Sequence, residues 1–237
     1  MAKYRDEIVN TLTGPRIEKN LDKADIDLLW GRAKFRSDHE LEIDNKTYSA
    51  EHIVIATGSK EFIPPIAGLE QAGYWVSDDA VKLEKLPQSV IIIGAGPVGT
   101  EFAQMFSSFG VEVTLLQRNE QILQREDHDV AEYVQNDLVS RGVNVITSME
   151  VVSVSQAGGR KVVKVKLGGQ EQNFQAEELM IATGRRAHLN DLNLKADGLK
   201  LTDTGKLELN EFLQTKVPHI WAAGDAAANW QFTHTAA

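Results

Sequence analysis

The 237-residue chain contains no cysteine, which excludes a disulfide framework, a thiolate zinc site and a thiol nucleophile from the polypeptide as written. Positive charge is in the minority: 25 Lys and Arg against 34 Asp and Glu leave a formal charge of −9. Overall charge therefore argues against nucleic acid or an anionic membrane as partner, and any basic anchor has to be local. Long hydrophobic runs are missing too. No stretch approaches the roughly 20 apolar residues that span a bilayer, and Met1 to Asp6 carries no secretory apolar core. The expectation is a cytoplasmic protein with no membrane and no nucleic-acid partner. What remains is an ordinary globular composition, 42% hydrophobic and 25% charged, sufficient for one large core or two modest ones.

The densest information lies in Ile91-Ile92-Ile93-Gly94-Ala95-Gly96-Pro97-Val98-Gly99. Ser89 to Ile93 reads as a buried parallel strand. Val98, Phe102, Met105, Phe106 and Phe109 recur on one helical face, Gly110 ends that helix, and Val111, Val113 and Leu115 alternate as a second strand. A G-x-G-x-x-G triplet alone is weak evidence; placed between such a strand and helix it is a dinucleotide cradle. Gly94 permits the tight turn, Gly96 removes a side chain that would block the pyrophosphate, and Gly99 lets helix and sheet pack closely. The free amides and positive dipole of the helix N-terminus then face the phosphates. The plain alternative is an ordinary glycine-rich turn.

Around this unit the chain alternates in character. Residues 1 to about 28 read as loosely periodic helix interrupted at Gly14-Pro15. Lys34 to Phe35, Glu40 to Ile43 and Lys46 to Tyr48 resemble a small antiparallel meander. A later helix starts near Asp127 or His128, with Val130, Val134 and Leu138 on its buried face and Gly142 as its stop; Val143 to Ile146 follows as a third strand. Val151 to Val154, Val162 to Leu167 and Glu178 to Ala182 form a β-rich run that suggests a meander inserted late in a doubly wound sheet. Asp78-Asp79 is expected to cap a helix over Ala80 to Leu83. Two apolar strands close on the same tripeptide, Ala56-Thr57-Gly58 and Ala182-Thr183-Gly184, which points to two nucleotide-binding units.

The end of the second strand should reveal which coenzyme is held, since an acidic residue there accepts hydrogen bonds from the ribose 2′-hydroxyl of NAD. This chain has Gln117, followed by Arg118 and, further on, Arg125. A neutral residue followed by guanidinium groups suits a 2′-phosphate, which arginine can pair bidentately. NADPH is thus favoured over NADH. In the alternative, Arg118 and Arg125 pair with Glu120, Glu126 or Asp127, and Gln117 merely tolerates NADH.

Four segments in order, Ala56-Thr57-Gly58-Ser59, Gly94 to Glu101, Ala182-Thr183-Gly184-Arg185 and Ala223-Gly224-Asp225, resemble the pyridine-nucleotide-disulfide oxidoreductases, flavoproteins of the dihydrolipoamide dehydrogenase, mercuric reductase and glutathione reductase type. The resemblance implies an α/β fold in which a Rossmann-like NAD(P)-binding domain, a parallel sheet plus a β-meander over residues 76–189, is inserted in a partial FAD-binding domain made of residues 1–75 and 190–237. It implies FAD and NADP (or NAD) as cofactors. The implied activity passes hydride from NAD(P)H to flavin and on to a disulfide or metal-ion acceptor, small molecule or protein, in a homodimeric parent.

Carried over by position, Ala56, Thr57 and Gly58 resemble a segment packed against FAD, and Arg32 and Ala33, after Gly31, resemble the backbone contact to its adenine. Asp225, with Gly224 keeping the strand end open, resembles the acceptor for the ribityl chain. Thr233, between Phe232 and His234, resembles the helix start beneath the flavin ring. Gly184 resembles the backbone closing over the nicotinamide side. Glu101 resembles the catalytic-site glutamate that pairs with a lysine beside the flavin N5.

That lysine, the redox cysteine pair, the first glycine triplet and the dimerisation domain have no counterpart in these 237 residues. The chain is therefore expected to be an internal fragment, itself inactive in disulfide reduction. A non-catalytic dinucleotide-binding module is the other functional class left open. The histidines at 39, 52, 128, 188 and 219 show no metal-ligand spacing and are read as surface or satisfied side chains, with no metal site. Trp30, Trp75, Trp221 and Trp230 are read as core or subunit-contact residues, and Ser59 as no nucleophile, lacking an assigned histidine.

Overall fold

A computed structural model describes residues 2–12, 15–196 and 198–227. In chain order the elements are α1 (Ala2–Leu12), α2 (Pro15–Lys23), β1 (Ala33–Phe35), β2 (Glu40–Ile43), β3 (Lys46–Ser49), β4 (Ile53–Ile55), β5 (Ser59–Glu61), α3 (Leu69–Ala72) and α4 (Ser77–Ala80). Then follow β6 (Ser89–Ile93), α5 (Pro97–Ser108), β7 (Glu112–Leu116), α6 (His128–Ser140), β8 (Asn144–Ile146), β9 (Met149–Ala157), β10 (Arg160–Leu167), β11 (Gln170–Ala176), β12 (Glu178–Ile181), β13 (Arg185–Ala187) and β14 (Ile220–Ala222). They divide into two compact units: Met1–Lys60 with Arg185–Ala237, and Glu61–Gly184.

The inserted unit, Glu61–Gly184, is built on a parallel sheet of order β12-β6-β7-β8. All five residues of β6 are buried because both faces of the sheet are covered, and successive side chains go to opposite faces. Val90, Ile92 and Met180 join Phe102, Phe106, Leu115 and Leu138 on the helix side. Ile91, Ile93, Leu179 and Ile181 face the other way, into a core with Val154, Val163 and Val165. That second layer is the antiparallel meander β11-β10-β9. The fold is α/β and Rossmann-like, a parallel sheet with helices on one face and a β-meander on the other.

Four details depart from the sequence reading. Phe109 and Val130 are 48% and 47% exposed; Phe109 lies one residue past α5, where helical periodicity no longer governs direction, and Ala131 rather than Val130 lines the buried side of α6. The helix near Asp78 starts earlier, at Ser77, because the Asp79 carboxylate accepts the Val76 N–H at 3.0 Å. Strand β11 is absent from the expectation. Of the two readings given for Trp30, core or subunit contact, its 76% exposure excludes the core.

The first unit has a core of Phe35, Ile53, Ile55, Leu189, Leu199, Leu207 and Ile220. Its β1-β2-β3 meander is antiparallel. Strands β4 and β14, far apart in the chain, pair in parallel with Ile53 opposite Ile220 and Ile55 opposite Ala222.

Candidate functional site

Both units use one device: two neighbouring parallel strands end side by side, and a glycine-containing segment leaves each end. Ligands of open α/β sheets sit at such carboxyl ends, where the strand order reverses. In the inserted unit that reversal falls at β6, flanked by β12 on one side and β7 on the other. The Ala182 N–H donates to the Ile93 carbonyl at 2.8 Å, continuing the ladder one residue beyond the strands. Gly94 turns the chain away with φ +104°, and a Cβ there would lie 2.4 Å from the Ala182 oxygen. A Cβ at Gly99 would lie 1.9 Å from the Gly94 oxygen. Close approach of α5 to the sheet therefore demands glycine at both positions.

Gly96 is different. Its φ is an ordinary −77°, and a Cβ there would meet nothing within 4 Å. The space above it is open, and it stands at the N-terminus of a 12-residue helix. Within the loop the Gly94 N–H is bound to the Leu116 carbonyl at 2.8 Å and the Ala95 N–H to the Gln117 Oε1 at 3.3 Å. The first amide of α5 with a helical acceptor is Thr100, bonded to the Gly96 carbonyl at 3.0 Å. Pro97 has no N–H, so Gly96, Val98 and Gly99 supply the amides with no acceptor among the described residues. Unsatisfied first-turn amides, with open space at Gly96, are the chemistry of an oxyanion or phosphate cradle. The residues fit a dinucleotide.

Gln117 lies at the end of β7, as the sequence suggests, but its side chain is 9% exposed. Oε1 accepts from Ala95 and Nε2 donates to the Gln121 carbonyl at 3.2 Å. It braces the loop from behind. Gln117→Leu keeps the volume and strands the fully buried Ala95 amide, so about 1–3 kcal/mol of stability should be lost. Thermal unfolding checks this, and an unchanged midpoint would show that the brace does not matter. Arg118 is exposed and makes no ion pair among the described residues. Arg125 is exposed as well. Glu101 is an exposed position of α5, and Gly184 is exposed with its carbonyl accepting the Phe62 N–H at 2.9 Å.

In the first unit the Ala223 N–H donates to the Ile55 carbonyl at 2.9 Å, so Ala56-Thr57-Gly58 and Gly224-Asp225 emerge together. Thr57 Oγ1 donates to the His188 carbonyl at 2.7 Å, and the Gly58 carbonyl accepts the His188 N–H at 2.9 Å. The Ser59 hydroxyl donates to Asp225 Oδ2 at 2.6 Å and accepts from Arg185 Nε at 2.7 Å. Arg185 Nη2 also holds the Ser59 carbonyl at 2.9 Å. Ser59 and Arg185 are thus positioning partners of Asp225 that sequence reasoning missed. Both stand next to the repeated Ala-Thr-Gly segments, which was the available signal. Ala33 opens β1, and Arg32 lies 3.9 Å from the Asp191 carboxylate. A hydrogen bond from His188, together with the charge of Lys60, holds that carboxyl below its ordinary pKa. Thr233, with Phe232, His234 and Trp230, lies outside the described residues.

The sequence profile for pyridine nucleotide-disulphide oxidoreductases matches residues 2–237. The chain belongs to this family, whose members use FAD and NAD(P)H. Among its relatives, mercuric reductase of Staphylococcus aureus is 32% identical over 237 residues, covering 100% of this chain and 43% of that protein. The chloroplastic/mitochondrial glutathione reductase of Pisum sativum is 35% identical over 226 residues, covering 95% of this chain and 40% of that protein. In three dimensions, the HOCl-induced flavoprotein disulfide reductase RclA from Escherichia coli superposes with a TM-score of 0.89 at 31% identity, covering 99% of this chain and 54% of that one. The chain spans about half the length, or somewhat less, of these relatives. Among the described residues no helix is long and apolar enough to cross a membrane.

Proposed function

We propose that the chain is the nucleotide-binding portion of a flavin-dependent NAD(P)H oxidoreductase. In this reading Glu61–Gly184 holds the nicotinamide dinucleotide, its diphosphate on the amides of Gly96, Val98 and Gly99. The unit containing β4 and β14 holds FAD, with Ala56, Thr57 and Gly58 against it and Asp225 accepting from its ribityl chain. When bound, FAD supplies hydride acceptance from NAD(P)H and electron delivery to an acceptor, as its relatives' names suggest a disulfide or a mercuric ion. The chain's own residues orient and charge-match. Ser59 presents its hydroxyl hydrogen to Asp225 and, through Arg185, keeps that carboxylate in place. The carrying observation is the open space over Gly96 beside three amides that have no acceptor among the described residues.

Reduction of a disulfide requires thiols, and the chain has none. That favours a second reading for these residues taken alone, a dinucleotide-binding module without turnover. Purified chain that is yellow and is bleached by NADPH supports the oxidoreductase reading; colourless chain that still binds NADPH supports the module.

The exposed guanidinium of Arg118 is assigned to the 2′-phosphate of NADPH. A charge-assisted pair of this kind contributes about 1.5–3 kcal/mol, so Arg118→Ala should weaken NADPH by roughly 10- to 100-fold and leave NADH unchanged. Fluorescence titration with both coenzymes reads the ratio, and an unaltered preference refutes the assignment.

A further inference from the structure

Two neighbouring titratable side chains and a third distant in sequence converge within the first unit. Asp38 and His39 occupy the turn between β1 and β2, and His219 directly precedes β14, docked by the Ile53 N–H on its carbonyl at 2.9 Å. The His39 and His219 rings stack, with centroids 3.8 Å apart and planes inclined by 6°. One ligand-capable atom from each of Asp38, His39 and His219 lies within 4.8 Å of the other two.

The hydrogen bonds fix which nitrogens are available. His39 Nδ1 lies 2.9 Å from the Ala50 carbonyl, and His219 Nε2 lies 2.8 Å from the Asp38 carbonyl. A carbonyl oxygen can only accept, so both of these nitrogens carry the proton. A neutral imidazole has one N–H, which leaves a lone pair on His39 Nε2 and another on His219 Nδ1. Backbone carbonyls that fix the tautomer in this way are the usual outer partners of metal-ligating histidines. His39 is further held by its own carbonyl, which accepts the Ala50 N–H at 3.0 Å. The Asp38 carboxylate, 3.8 Å from His219 Nε2, adds the negative charge.

We propose that Asp38, His39 and His219 form a binding site for a divalent transition-metal ion of the zinc or copper class. Two imidazoles and one carboxylate oxygen match those ions and not magnesium or calcium, which take oxygen ligands. Asp38 and His39 are exposed and His219 partly so, which leaves the remaining coordination positions to water. An imidazole lone pair lies in its ring plane, so parallel rings cannot both aim at one ion, and loading has to turn the rings out of the stack about the two N–H···O=C bonds that fix their tautomers.

Calorimetric titration of the full chain with Zn(II), and separately with Cu(II), tests the site. One ion should bind per chain, weakened at least about tenfold in His39→Gln and in His219→Gln. Glutamine at 39 can still donate to the Ala50 carbonyl, so the turn stays folded, and circular dichroism checks that it does. The electron paramagnetic resonance of bound Cu(II) should show two coupled imidazole nitrogens in the parent chain and one in each variant. His188→Gln, whose ring is bonded to Asp191 at 3.1 Å, should bind as the parent does. Undiminished binding in the double variant His39→Gln/His219→Gln, or a copper signal without paired nitrogens, overturns the proposal.

Discussion

Gly96→Val is expected to fold normally and lose NAD(P)H affinity on the order of a hundredfold, the equivalent of about 3 kcal/mol, whereas Gly99→Val is expected to lose the folded inserted unit. The two glycines sit three residues apart and face different surroundings. At Gly96 the backbone is extended, φ −77° and ψ −173°, a conformation any residue adopts. A new Cβ meets no atom within 4 Å beyond its chain neighbours among the described residues, so under the proposed reading valine would project into the space the diphosphate needs and displace it from the helix amides. At Gly99 the Cβ would lie 1.9 Å from a backbone oxygen and 3.0 Å from the carbonyl carbon of Gly94. Neither is the tip of a flexible side chain, so α5 must lift from the sheet. Strain of that kind belongs with the exceptional substitutions that cost more than about 4 kcal/mol. Circular dichroism melting and coenzyme fluorescence separate the outcomes. Parental affinity in Gly96→Val would remove the phosphate cradle from the account.

Much of this was legible in the sequence because it is written locally. Strand β6 is a continuous apolar run buried on both faces, so it starts and ends where the letters do. Helix α5 announces itself by glycines whose necessity is steric and by Phe102 and Phe106 on one face. Strand β11 carries no such signal. Its residues Gln170 to Ala176 are mostly polar and mostly exposed, with only Ala176 buried, because it is an outer strand of the meander whose identity comes from backbone pairing with β10. The role of Gln117 was half legible. Its place at the strand end follows from spacing, but its inward turn follows from the Ala95 amide having no other acceptor among the described residues. The gathering of Asp38, His39 and His219 was beyond sequence reasoning altogether. Residues on either side of the inserted unit meet only because β4 and β14 pair, and no ligand spacing can express that.

Phe106→Ala is expected to destabilise the inserted unit by about 3–5 kcal/mol and to weaken NAD(P)H binding, although residue 106 lies outside the cradle. Its ring is fully buried and packs with Phe102 at a centroid separation of 5.9 Å, in the core that joins α5 to Ile92 and Leu115. The cradle amides belong to the first turn of the same helix, so a helix that loses its principal anchor holds them less well. The core around Ile53, Ile55 and Ile220 shares no residue with the one around Phe106. Protection against hydrogen exchange should therefore fall across β6, β7 and α5 and persist in β4 and β14, since local stability follows the cooperative unit to which an amide belongs. Phe106→Leu, which refills most of the volume, should recover the larger part of both losses. Uniform loss of protection across β4, β14 and β6 would mean that the chain unfolds as a single cooperative body. The proposed split of coenzyme binding between two units would then have no counterpart in their stability.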